Sequence, residues 1–89
     1  MNESSERPNI LRVQTGVRIE ARLLKVLKAL AELRDLSLGD LIEGIALHAL
    51  EGKTPFSEET LKQVTALKEI YGLNLSAKDA HRLIEATAP

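Results

Sequence analysis

The stretch RVQTGVRIEARLL, residues 12–24, begins with the period of a strand and ends with the period of a helix. From Arg12 to Ile19, the residues Val13, Thr15, Val17 and Ile19 alternate with Arg12, Gln14, Gly16 and Arg18, which is the two-residue repeat of a strand with one face buried. From Arg22 onward the repeat lengthens to that of a helix. A lone strand cannot satisfy its own backbone N–H and C=O groups. The simplest partner is the same strand of a second chain across a two-fold axis, so the pattern predicts an antiparallel two-stranded ribbon.

The rest of the chain reads as helices. One is expected from about Ala21 to Arg34, where Leu23, Leu24, Val26, Leu27, Leu30, Ala31 and Leu33 cover an arc of about 180°. So wide an apolar face calls for two packing partners. In DLSLGDLIEG, Ser37 and Asp40 have the spacing of a capping box and Leu36 and Leu41 that of a hydrophobic staple, opening a second helix that runs to about Leu50 before Gly52. Gly44 lies mid-helix, either as a tolerated weakness or as a point of close backbone approach. Phe56, Ser57 and Leu61 repeat the cap and staple for a third helix carrying Val64, Leu67, Ile70 and Tyr71 and ending at Gly72. Leu75, Ser76, Asp79 and Ala80 suggest a short fourth helix with Leu83 and Ile84, reaching about Ala86 and lying on the surplus face of the first.

Composition sets limits. At 89 residues the chain is one small domain, near the size at which a single core is marginal. It contains no cysteine, which excludes disulfides and thiolate metal sites. No metal or cofactor is expected. The histidines His48 and His81 have no acidic or nucleophilic partners at matched spacing, and no glycine-rich phosphate loop occurs, so an enzyme is not expected. With no apolar run long enough to span a bilayer and no signal-like start, the expected location is cytoplasmic.

Net charge is −1, but it is unevenly spread. Residues 1–35 hold seven basic and five acidic side chains, residues 36–52 hold three acidic ones, and residues 53–89 balance five against five. A surface facing a polyanion would therefore lie at the strand and first helix.

The order of strand, helix, capped turn and helix in VRIEARLLKVLKALAELRDLSLGDLIEGIALHALEG resembles the ribbon-helix-helix family of small dimeric DNA-binding proteins, which includes repressors and antitoxins. The resemblance covers residues 12–52. It implies a mainly α fold: a ribbon-helix-helix homodimer with an intermolecular two-stranded antiparallel ribbon, here followed by two further C-terminal helices. The division would be a flexible arm over 1–10, a dimerisation and DNA-binding core over 11–52, and a helical hairpin with a short tail over 53–89. The dimer core would comprise Val13, Thr15, Val17, Ile19, Leu23, Leu27, Leu30, Leu41, Ile42 and Ile45.

By the same resemblance, the function would be sequence-specific binding of double-stranded DNA as a transcriptional repressor. Gln14, Gly16 and Arg18 would meet base edges in the major groove, while Arg12, Arg22, Lys25, Ser37, Leu38 and Gly39 would hold phosphates. The alternative is a dimerising protein-interaction module, an antitoxin-like binder acting through its C-terminal helices. Expected partners are a second copy, duplex DNA, and a protein or neighbouring dimer contacting residues 54–86.

Overall fold

The computed structural model describes residues 7–86 and contains three α-helices: α1, Ala21–Leu33; α2, Leu38–Leu50; and α3, Glu58–Tyr71. The first six residues of the expected arm and the last three of the expected tail lie outside the described residues.

Each helix starts where a side-chain oxygen meets an otherwise unpaired N–H group. Glu20 accepts from Leu23 N (2.8 Å), Ser37 Oγ from Asp40 N (3.1 Å) and Ser57 Oγ from Thr60 N (3.2 Å). The ends are alike too. The N–H groups of Leu36, Lys53 and Leu73 return to the carbonyls of Ala31, His48 and Lys68, each past a residue in the left-handed region: Asp35, Gly52 and Gly72.

The helix α1 is central. Both α2 and α3 pack on it and not on each other, in keeping with its wide apolar face. The core consists of Val26, Leu30, Ala31, Leu41 and Leu67, with Leu27, Ala29, Ile45, Phe56, Val64 and Leu73 half-buried around it. Leu33, placed by its spacing within the packed face, is instead 56% exposed. At Gly44 an added Cβ would meet nothing within 4 Å, so no backbone approaches and the glycine is a local weakness.

Two expectations are corrected. Among the described residues no strand forms: residues 8–20 lead into α1 as a segment without regular structure, exposed as far as Arg18 and half-buried at Ile19 and Glu20, and the fold is an all-helical three-helix bundle. The ribbon, and with it the likeness to ribbon-helix-helix proteins, is overturned. Alternating apolar side chains record a wish for burial on one side; they do not supply the hydrogen-bonding neighbour that makes a strand.

The fourth helix is the second correction. Ser76 and Asp79 do form a reciprocal capping box, but it opens only a single 3-10 turn, Ala77–Asp79. His81 then takes a left-handed backbone conformation, φ 67°, and no helix follows. Capping supplies a start, whereas continuation needs a packed stripe that Leu83 and Ile84, both exposed, do not provide.

Candidate functional site: an apolar cleft beside α1

Because α2 and α3 each pack on α1 and not on each other, the chain leaves an apolar cleft of about 550 Å³ between them. Its floor is the α1 stripe Leu23, Val26, Leu27 and Leu30, spaced to lie along one side of the helix. One wall is Ile42 and Ile45 of α2. The other is Val64 and Lys68 of α3, with Phe56 from the connection between the helices. The segment after α3 contributes Leu73, Leu75 and Leu83, and Ile19 stands at the entry to α1.

The segments flanking the cleft are held by long polar side chains. Arg22 donates from Nη1 to the carbonyl of Gly72 at 2.9 Å, joining the first turn of α1 to the end of α3. Arg12 makes a two-pronged pair with Glu43 on α2, Nε to Oε2 at 2.9 Å and Nη2 to Oε1 at 2.8 Å. That pair holds the Glu43 carboxyl below the usual carboxylate range and raises the Arg12 guanidinium. Arg18 makes a similar two-pronged pair with Glu85, linking the lead-in to the C-terminal segment.

The residues read as DNA contacts do not assemble into a DNA-binding face. Without a ribbon, Gln14, Gly16 and Arg18 are not presented side by side for a major groove, and Arg18 is paired with Glu85. Of the expected phosphate contacts, Arg12 is paired with Glu43, Arg22 is bonded to Gly72, and Ser37 is occupied as the cap of α2. Lys25 and Gly39 are exposed and Leu38 half-buried. Sequence-specific duplex binding by a ribbon, and the repressor reading built on it, fall with the missing strand.

The residues grouped as dimer core fall into four sets. Leu30 and Leu41 are buried in the chain's own core, while Ile19, Leu27 and Ile45 are half-buried along the cleft. Leu23 and Ile42 are each 37% exposed at its rim. Val13, Thr15 and Val17 are exposed, the two valines by 86% and 73%.

Phe56, Val64, Leu73 and Leu75 were not singled out as site residues. Their signal was apolar side chains in and beside connections, at Phe56 before a cap and at Leu73 and Leu75 after Gly72. Spacing alone does not show which side of the bundle they join.

His48 Nδ1 lies 2.6 Å from the carbonyl oxygen of Gly44 one turn earlier, so its ring is engaged within its own helix. Among the described residues, no group of three or more His, Asp or Glu side chains is placed to hold a metal, and no helix is long and apolar enough to cross a membrane. Compared with protein-family models, curated proteins and solved structures, the chain has no significant match.

Proposed function

We propose that the protein is a helix-mediated protein-interaction module whose working surface is the cleft beside α1. The observation that carries this reading is the cleft itself: a concave, almost wholly apolar surface in a chain whose described residues bury five apolar side chains in their own core. Contiguous apolar surface facing water is unfavourable by about 25 cal/mol per Å² relative to burial, and such patches mark contact sites. The C-terminal part takes a share in it, since α3 and the segment after it form one wall. The work is binding rather than catalysis, because the lining's few polar side chains are Lys68 and the pair Ser76 and Asp79, which are engaged in their own capping box.

Titration with an apolar fluorophore across a protein dilution series tests the reading. Ile42→Lys places a charge at the cleft rim, at a position exposed enough for the lysine stem to reach water. The fluorescence should drop several-fold in that variant while the helical circular dichroism is unchanged. Equal fluorescence from the two proteins at every dilution contradicts the proposal.

A further inference from the structure

Resting on that reading, we infer that the occupant of the cleft is a second copy of this chain, with Val13 and Val17 of each lead-in entering the cleft of the other. Three observations meet here.

The first is area. The chain exposes 8101 Å², whereas a compact monomer of its mass exposes about 5,200 Å². The excess of roughly 2,900 Å² includes the extended lead-in itself, and it leaves room for the 800 Å² or so that each partner contributes to a standard interface. Five buried apolar residues make a small core for 80 described residues, and chains of this kind gain their missing burial by association.

The second is that hollow and filler are both present on one chain. The cleft is the hollow. The lead-in carries Leu11, Val13 and Val17 at 96%, 86% and 73% exposure, apolar side chains that the other described residues leave uncovered. A self-complementary surface of this kind, used twice about a two-fold axis, closes on itself with no further protein required.

The third is that the lead-in is pinned to its own chain with its two valines still exposed. Arg12 pairs with Glu43 and Arg18 with Glu85, one at each end of the Val13–Val17 stretch. Both pairs are exposed and individually weak. Together they present the valines outward, where a neighbour's cleft can receive them. The contact is of side chains with a cleft, and no pairing of one lead-in's backbone with the other's is involved.

The chain has no cysteine, so introduced thiols report contacts without interference. Full-length Val17→Cys is mixed with full-length Ile42→Cys under mild oxidation, and in parallel with Leu47→Cys, which is exposed on α2 outside the cleft. The first pair should cross-link at least about tenfold faster than the second, because the contact raises the local thiol concentration. Sedimentation of the unaltered chain should show a dimer that dissociates on dilution.

Equal cross-linking rates, or a monomer at every concentration, overturn the second copy. So does a Val17→Cys/Ile42→Cys double variant that closes within one chain at high dilution. A monomer whose fluorophore binding still depends on Ile42 removes the second copy and leaves the module. A monomer whose binding is indifferent to Ile42 removes both.

Discussion

Arg34, which follows the last turn of α1, donates from Nη1 to Thr60 Oγ1 in the first turn of α3 at 3.0 Å, and Thr60 is the one buried polar residue among those described. The same hydroxyl oxygen lies 3.1 Å from Ser57 Oγ, the cap of α3, so one small network both starts α3 and fastens it to α1. Thr60→Val, close in shape, should cost about 1 kcal/mol by removing the shared acceptor. Ser57→Ala should cost a similar amount through loss of the cap. Because both act on one network, the double variant should lose less than the sum of the two in urea unfolding.

Leu30 is the most completely buried large side chain, 1% exposed, at the point where α1 meets both other helices. Leu30→Ala should destabilise by about 2–5 kcal/mol. In a domain this small that is most of the available stability, so thermal melting of the variant should begin near room temperature.

Two glycines should respond in opposite directions. Gly72 ends α3 at φ 67°, and a Cβ there would sit 3.4 Å from the Arg22 guanidinium that bonds its carbonyl, so Gly72→Ala should cost about 1 kcal/mol. Gly44 is helical and meets nothing. Gly44→Ala should therefore raise stability by up to about 1 kcal/mol, seen as a higher melting temperature.

Much of this could be read from the residues in order. Ser37, Ser57, Gly52 and Gly72 mark helix boundaries because caps are local: the hydrogen bond forms within three or four residues whatever the rest of the chain does. The width of the α1 face foretold its two partners. Residues 12–19 misled because strand formation is not local; the alternation was real, but Val13, Thr15 and Val17 face water and no ladder partner exists among the described residues. Ser76 and Asp79 were legible as a helix start and do cap a turn, yet the helix they announced needs packing that no spacing rule supplies. The pairs Arg12–Glu43, Arg18–Glu85 and Arg34–Thr60 join residues 26 to 67 positions apart, and the cleft arises because α2 and α3 both pack on α1 without meeting. Neither is written in a window of a few residues.

Acid should weaken the fold through two carboxylates. Glu20 is held below its ordinary value of 4.5 first by the Leu23 N–H and then by that of Arg22, and Glu43 by its hydrogen bond with Arg12. A carboxyl depressed in the folded state adds stability that is fully present above its unfolded value and is lost as pH falls through the folded one. Stability should thus be level from neutral pH down to about 5 and decline below 4.5. Glu20→Gln and Glu43→Gln should each flatten that acid limb in pH-dependent unfolding.

The most direct measurement is residue-resolved amide hydrogen exchange on the full chain at a concentration where it is associated. A lead-in that carries no strand, and that meets its partner through side chains in the cleft, leaves its own N–H groups to water. Amides of α1, α2 and α3 should then be protected, while those of residues 9–19 exchange at rates near those of an unstructured chain. Strong protection at alternate amides across Val13–Ile19, the signature of backbone pairing between strands, would contradict the all-helical fold and the cleft-centred reading with it.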